Sequence, residues 1–313
     1  MLPPVIAGVD GSAESLAAAE WAAREAERRD RPLRLVHAWN WRPRQADGVP
    51  SPKPSASLEQ GGAPTAAQRY LGGRVLRQAE ERVRGAVPAV RLYDAQVEGP
   101  ATAALLKEAE QGDLLVLGSR GLSGFTGLLV GSAALGVVAK ATRPVVLVRA
   151  GEEAEDEHFP ENDGSASTTT GYRDVVVGLD LGDPCDEVIE FAFEAARLRR
   201  ARLRVVCAWQ APSALGLGPG DIALMDDPQQ LEEWEGFLSA VLKVWRDKYP
   251  DVEVVEAVSE GKATTALIRA ASAASLLVVG HQLAERPVGP RTGPVTHAVI
   301  HHVGCPVAVV PHD

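Results

Sequence analysis

Apolar runs alternate with amphipathic helical stretches along the chain. In the first half, Val5–Val9, Leu33–Ala38, Leu114–Leu117 and Val145–Val148 are short and lack polar alternation, as buried parallel strands do. Val90–Val97 is more polar and is predicted to be a strand nearer an edge of the sheet. The helices predicted between these strands are Ala13–Arg29, Ala67–Ala86, Thr102–Gln111 and Ser132–Ala141. Five strands alternating with four helices predict an α/β fold, a doubly wound parallel sheet with right-handed crossovers.

The same pattern occurs twice, which predicts a tandem repeat. The two copies align without a gap over Val5–Trp39 and Val175–Trp209. The later matching residues align when an insertion in the first copy is placed within Arg42–Ala66. That insert is rich in Pro, Gly and Ser, which is typical of a surface loop. In the second copy, Pro228–Tyr249 replaces the second helix, and its two tryptophans are expected in the core. The matched positions are Asp10 with Asp180, Trp39 with Trp209, Gly99 with Gly261, Gly118 with Gly280 and Pro144 with Pro306.

The segment between the copies, Ala150–Tyr172, holds seven acidic residues and neither Lys nor Arg. This charge and the Ser/Thr-rich end of the segment predict a solvated linker. We therefore predict a first domain at residues 1–149, a linker at 150–172 and a second domain at 173–313, each domain with its own five-stranded parallel sheet.

The acidic charge balance limits the classes of partner. With a net charge of -10, the chain is expected to repel nucleic acid and anionic membranes. A small anionic ligand stays compatible, because nearby backbone amides outweigh a distant net charge. No run reaches the ~18 apolar residues of a membrane span, and the first residues lack the pattern of a signal peptide. Three cysteines without a CxxC pair complete the expectation of a cytoplasmic protein with reduced thiols.

A glycine-rich sequence after the fourth strand carries the candidate chemistry of the first copy. Gly118, Gly121, Gly131 and Ser132 follow the spacing G-x2-G-x9-G-S between a strand and a helix. We expect Gly118 to permit a sharp turn and Gly121 to let backbone amides approach a ligand. Gly131 and Ser132 open a helix whose first amides and dipole favour an anion, with Ser132 as its cap. The spacing predicts a nucleotide-phosphate loop, in which Arg120 either contacts a phosphate or is an exposed surface residue.

An acidic residue is predicted to face this loop. In a doubly wound sheet, ligands bind at the carboxyl ends of strands where the strand order reverses. If strands one and four are neighbours there, Asp10 meets Gly118 in one crevice and can accept a hydrogen bond from a ribose hydroxyl or an adenine amino group. Ala38, at the end of strand two, is a candidate for the wall of the base pocket. Alone, Asp10 and Ser12 are also compatible with a simple turn and helix cap.

These residues resemble the nucleotide site of the universal stress protein family, and the resemblance covers both copies. The family's motif G-x2-G-x9-G-[ST] is matched in the first copy, and its acidic residue after the first strand is matched by Asp10. The resemblance implies a Rossmann-like, adenine nucleotide alpha hydrolase-like fold. It also implies ATP binding with Mg²⁺ or Mn²⁺, often without appreciable turnover, and homodimers formed through the last strand. The nucleotide-binding residues that it implies are Gly8, Asp10, Ala38, Gly118, Ser119, Arg120, Gly121, Gly131, Ser132 and Ala133.

The second copy departs from this motif. Leu283 stands at the position of the second glycine, and Pro294 replaces Ser or Thr after Gly293. Leucine obstructs the approach of a phosphate, and proline removes an amide donor, although it suits a first helical position. Asp180 is retained, and Thr296 is a candidate substitute hydroxyl. We therefore expect one strong ATP site per chain, in the first copy.

Several weaker interpretations stay open. His297 and His301 lie one helical turn apart, a spacing that suits zinc, but no local Glu or Cys completes a ligand set. Ser12 and His37 lack the third partner of a nucleophilic triad. No catalytic base or Walker lysine is evident, so a non-enzymatic ATP-dependent sensor or binding module in stress response is predicted. The alternatives are a slow ATPase, a partner-binding module that does not use ATP, and a flavin or adenine-cofactor electron-transfer module.

The last strand of each copy is predicted to need a partner. Val145–Arg149 and Val307–Val310 each end a sheet, and an open apolar edge invites aggregation. Two homologous edges on one chain can pair antiparallel about a pseudo-twofold axis. We therefore predict that the two copies pair through these strands, with a homodimer as a further option.

Overall fold

The computed structural model describes residues 2–39, 66–119, 131–209, 228–283 and 292–312. Strands and helices alternate in these residues, in the same order in both copies. The strands are β1 (Val5–Gly8), β2 (Leu33–Trp39), β3 (Leu92–Glu98), β4 (Leu114–Ser119), β5 (Val145–Arg149), β6 (Asp174–Leu179), β7 (Leu203–Trp209), β8 (Val254–Glu260), β9 (Ala274–Gln282) and β10 (Val307–His312). The helices are α1 (Ala13–Arg28), α2 (Ala66–Ala86), α3 (Ala101–Ala109), α4 (Ser132–Val138), α5 (Asp186–Arg199), α6 (Pro228–Lys248), α7 (Ala263–Ala271) and α8 (Pro294–His302), and a short 3₁₀ helix covers Ala154–Glu157.

The described strands form one ten-stranded sheet in the order β3-β2-β1-β4-β5-β10-β9-β6-β7-β8. Within each copy, the paired strands are parallel, so the predicted α/β fold with five parallel strands per copy is confirmed. The polar strand β3 lies at an outer edge, as its sequence predicts. The copies meet at β5 and β10, which run antiparallel with Leu147 opposite Val307 and Val145 opposite Val309. These are the two edges for which the sequence predicts pairing.

Apolar residues fill one layer on each face of the sheet. Helices α1, α2, α5 and α6 cover one face, and α3, α4, α7 and α8 cover the other. Trp21 of α1 and Leu238 of α6 are fully buried in the first layer, against which Trp234 and Trp245 also pack. Coverage of both faces explains why β1 and β4 are continuous apolar runs without polar alternation.

The segment between the copies is mostly exposed at residues 162–169, but its first part, which its composition predicts to be solvated, is built into the fold. Glu157 is fully buried, and it accepts hydrogen bonds from Arg24 at 2.9 Å and from Arg28. His158 is also buried, and it forms an isolated antiparallel bridge with Tyr172. A carboxylate can be buried when it is paired and hydrogen-bonded. Helix α1 supplies the paired arginines, which the composition of the linker alone cannot reveal.

A buried ion cluster joins α1 of the first copy to α5 of the second. The carboxylate of Glu25 accepts hydrogen bonds from Arg199 at 2.7 Å, from Arg29 at 2.7 Å and from Arg28 at 3.0 Å. The guanidinium of Arg199 also lies over the ring of Trp21, 5.7 Å from its centroid. Burial alone would raise the pKa of Glu25, but the guanidinium groups, that of Arg199 foremost, lower the pKa far below its ordinary value.

Candidate nucleotide site

The predicted site residues Gly8, Asp10, Ala38, Gly118 and Ser119 lie where the strand order reverses. Strand β1 has β2 on one side and β4 on the other. From β1 the strand order runs through β2 to β3 in one direction, and through β4 to β5 in the other. Gly8 of β1 pairs with Val36 of β2 and with Leu117 of β4. Asp10, Ala38 and Ser119 each lie two positions after one of these three residues. Asp10, Ala38 and Ser119 therefore stand level with one another at the carboxyl ends of three adjacent strands. Ligands of doubly wound folds bind at this edge of the sheet.

Asp10 is exposed and shapes the turn that leads into α1. Its Oδ1 accepts hydrogen bonds from the Ser12 amide at 2.9 Å and from the Ser12 hydroxyl at 2.6 Å. Gly11 permits the turn because it adopts a φ of 86°. Partial burial opposes ionisation of Asp10, but these hydrogen bonds prevail and lower its pKa. Ser12 is the N-cap of α1 and accepts a hydrogen bond from the Ser15 amide at 3.2 Å, so the turn and the cap are both present. An ionised Asp10 carboxylate with acceptor capacity on Oδ2 stands beside them at the edge of the sheet.

Two predicted site glycines serve packing inside strands. A Cβ on Gly118 would lie 2.6 Å from the backbone carbonyl carbon of Glu14 and 2.7 Å from the amide nitrogen of Ser15. A Cβ on Gly8 would lie 2.6 Å from Cδ2 of Leu117. The prediction of a sharp turn at Gly118 is wrong, because this residue lies within β4. Its missing side chain instead lets the first turn of α1 contact β4.

The last residues of the phosphate motif open α4. Gly131 is the N-cap, with extended backbone at φ -63° and ψ 146°, and Ser132 is the first helical residue. The prediction that Ser132 caps this helix is therefore wrong. No side chain of the described residues caps this end, and Ser132 is exposed. Its hydroxyl and the first amides of the helix, including that of Ala133, have no intrahelical partner and can donate to an anion. Arg120 and Gly121 lie outside the described residues, so their phosphate contacts stay predictions.

The corresponding edge of the second copy encloses a cavity of about 310 Å³ between the ends of β6 and β9. The hydroxyl of Thr296, the candidate substitute, donates to the carbonyl oxygen of Gly280 at 2.9 Å. The amide of Leu283 donates to the carbonyl oxygen of His312 at 2.9 Å. Pro294 is the first residue of α8 and has no amide to donate. Among the described residues of this edge, the Thr296 hydroxyl and the Leu283 amide are therefore used within the fold, and Pro294 supplies no amide for a phosphate.

Among the described residues, the proposed histidine pair gains no further metal ligand. The rings of His297 and His301 lie 4.5 Å apart between centroids, and no third donor joins them to form a ligand cluster. Asp183, Cys185 and His312 do form such a cluster, beside the second-copy cavity. Sequence reasoning missed it because Cys185 and His312 are 127 positions apart and follow no local spacing.

Comparison with known proteins identifies the family of this chain. A model of the Universal stress protein family matches residues 1–149 and 171–311. The chain is also 30% identical over 309 residues to universal stress protein Rv2005c of Mycobacterium tuberculosis, with 97% of this chain and 96% of that protein covered. The chain belongs to the universal stress protein family.

Solved universal stress proteins match the whole chain or one copy. The crystal structure of a universal stress protein from Archaeoglobus fulgidus DSM 4304 covers 99% of this chain and 98% of its own, with a TM-score of 0.67 at 16% identity, so the tandem fold is shared. A universal stress protein in complex with cAMP covers 47% of this chain and 95% of its own, with a TM-score of 0.33 at 25% identity. Within the described part of this universal stress protein, no helix combines the length and the apolar character needed to cross a membrane.

Proposed function

We propose that the first copy binds an adenine nucleotide, ATP with Mg²⁺ or Mn²⁺, and that the chain acts as a nucleotide-dependent sensor or binding module in stress response. The observation that carries this proposal is the level arrangement of Asp10, Ala38 and Ser119 at the reversal point of the strand order. The segment that holds the phosphate motif leaves β4 at this edge and ends at the start of α4. Membership of the universal stress protein family supports the same site.

Each part of a nucleotide has a matching group in this arrangement. The carboxylate of Asp10 is the acceptor for a ribose hydroxyl or an adenine amino group. The small side chain of Ala38 leaves room for the base. The exposed Ser132 hydroxyl and the first amides of α4 are donors for phosphate oxygens, and the helix dipole adds to their effect. Arg120 and Gly121 complete the proposed phosphate contacts from the motif.

The proposal extends to the organisation of the protein. We propose that residues 1–149 and 173–313 act as paired lobes in solution, with residues 150–172 connecting them in the cytoplasm. The antiparallel contact of β5 with β10 and the buried pair of Glu25 with Arg199 support this pairing.

The test is calorimetric titration of the full chain with ATP and Mg²⁺. We expect one strong site, and we expect Gly121→Leu to weaken binding tenfold or more because a side chain blocks backbone approach. Gly85→Leu is the matched control, since Gly85 is exposed on α2 and a Cβ there would meet nothing within 4 Å. Equal affinity of Gly121→Leu and the wild type, or two equal strong sites, would contradict the proposal.

The same samples separate the alternative functions. Phosphate release by the wild type that disappears in Gly121→Leu would identify a slow ATPase. If no nucleotide copurifies, and neither ATP nor cAMP raises the melting temperature, a partner-binding module without a nucleotide is the better description.

A further inference from the structure

Three metal-ligating side chains converge on the wall of the second-copy cavity. Asp183 and Cys185 lie in the turn before α5, and His312 is the last residue of β10. Each offers one ligand atom, and these atoms lie within 4.8 Å of one another. We propose that Asp183, Cys185 and His312 bind a divalent transition metal ion such as Zn²⁺. This inference is independent of the nucleotide site proposed for the first copy.

The distances suit a tetrahedral ion after a small adjustment. Sγ of Cys185 and Nδ1 of His312 are 3.1 Å apart. Zinc bonds of about 2.3 Å to sulfur and about 2.0 Å to nitrogen place these two atoms about 3.5 Å apart in a tetrahedron. Asp183 is exposed and the other two side chains are half-buried, so side-chain rotation can provide the difference. Mixed thiolate, imidazole and carboxylate ligands are a set that Zn²⁺ accepts.

The charge around Cys185 favours a cation. The carboxylates of Asp183, Glu187, Asp180 and Asp186 lie near the Cys185 thiol. Metal binding breaks the S–H bond, forms a metal–sulfur bond and releases one proton to water. The nearby carboxylates attract a divalent cation.

The first copy offers a natural comparison. The positions that correspond to Asp183, Cys185 and His312 by the repeat alignment are Ala13, Ser15 and Ala150. None of these side chains is a usual ligand of Zn²⁺. The metal site therefore belongs to the second copy alone. Three protein ligands beside a cavity of about 310 Å³ leave one coordination position for water or a small ligand.

Cobalt provides a spectroscopic test on the full chain. Titration with Co²⁺ should give a thiolate-to-metal charge-transfer band in the near ultraviolet, saturating at one equivalent. Cys185→Ser should abolish this band. Cys305→Ser is the matched control and should retain it, because Cys305 packs on the opposite face of the sheet from Cys185. Loss of the band in Cys305→Ser but not in Cys185→Ser would overturn the assignment, as would its absence from the wild type.

Zinc affinity tests the remaining ligands. In competition with a chelating indicator, His312→Ala and Asp183→Asn should each bind Zn²⁺ at least tenfold more weakly than the wild type. Circular dichroism and melting without metal verify that each variant folds. Zn²⁺ should also raise the melting temperature of the wild type but not that of Cys185→Ser. Unchanged Zn²⁺ affinity in folded His312→Ala would contradict the proposed site.

Discussion

Gly118 and Gly131 belong to the same phosphate motif but have different surroundings. Gly118 lies against the backbone of Glu14 and Ser15, where a Cβ would approach within 2.8 Å. No described atom lies within 4 Å of a Cβ on Gly131, and its negative φ suits any residue. Gly118 therefore belongs to the packing of α1 on β4, whereas Gly131 precedes α4, where we propose that phosphate binds.

Alanine substitutions should separate these two roles. Gly118→Ala forces α1 away from β4, so we expect it to lower the free energy of unfolding by about 1–3 kcal/mol. Gly131→Ala should change this free energy by less than about 0.5 kcal/mol and should weaken ATP binding, because its methyl group enters the space proposed for phosphate. Urea unfolding and calorimetry measure the two quantities. A larger stability loss in Gly131→Ala than in Gly118→Ala would contradict these assignments.

The positions of individual site residues were predictable from the sequence where a local pattern, such as an apolar run, determines them. The carboxyl ends of the strands follow from the apolar runs, so Asp10 and Ala38 could be placed at one edge of the sheet. The contact of Gly118 with α1 depends on how closely a helix approaches a strand, which spacing does not encode. The cluster of Cys185 with His312 depends on a contact between distant segments, and it was missed for that reason.

The ion cluster between α1 and α5 ties two elements from different copies together. Removing one partner from a buried pair is costly because the remaining charges stay buried without compensation. We expect Glu25→Gln to lower the free energy of unfolding by about 3 kcal/mol, because three arginines lose their shared carboxylate. Glu20→Gln, on the same helix, should cost less than about 1 kcal/mol, since its partner Arg82 is 55% exposed. Equal effects in denaturant titrations would show that the cluster adds nothing specific.

The acidic segment after β5 should make stability depend on pH. Burial and the carboxylates of Asp156 and Glu157 raise the pKa of Glu152 from 4.5 to about 8. The unfolded chain loses this proton at a lower pH than the folded chain, so the free energy of unfolding falls as pH rises from 4.5 to about 8. We expect Glu152→Gln to remove this fall and to add on the order of 1–3 kcal/mol at about pH 9, with little change near pH 4.

Chemical denaturation across this pH range measures the effect of Glu152. The exposed Glu110→Gln serves as the control for the change from carboxylate to amide. A wild-type curve parallel to that of Glu152→Gln from about pH 4 to about pH 9 would contradict the expectation.

At the level of elements, the pattern of apolar and polar residues predicted every described strand of the first copy. The errors lie at the ends of helices and in the segment that connects the two copies. Helix α4 was predicted to reach Ala141 but ends at Val138. The amide of Lys140 donates to the carbonyl oxygen of Val137, three residues earlier, which closes the helix in a tighter turn. The order of the connecting segment at Glu157 was missed because burial of an acidic residue depends on arginines far away in the sequence.

At the scale of the whole molecule, the last strand of each copy finds its hydrogen-bonding partner within the same chain. Strands β5 and β10 pair with each other, and Arg149 donates to the carbonyl oxygen of His301 across the same junction at 2.9 Å. A homodimer through the last strand would have to break this pairing. We therefore expect light scattering to give the mass of one chain, 33.1 kDa, at all concentrations.

Leu147→Lys provides the contrasting variant for this expectation. Leu147 is 2% exposed and lies opposite Val307, so a lysine there introduces a charge into the junction. The radius of gyration in small-angle scattering should rise, because the two copies separate and the packing around β5 in the first copy is weakened. A wild-type mass of two chains, or an unchanged radius in Leu147→Lys, would contradict intramolecular pairing as the basis of compactness.

The central position of β10 in the sheet has a consequence for biosynthesis. Strand β5 emerges from the ribosome with the first copy, but its partner β10 is synthesised only at the end of the second copy. At about 5–20 residues per second, the edge of β5 stays without its partner for roughly ten to thirty seconds. During that interval an apolar strand edge is open to other nascent chains on the same message. The interval between the completion of the two halves is therefore the stage of synthesis at which we expect covering the edge of β5 to reduce aggregation.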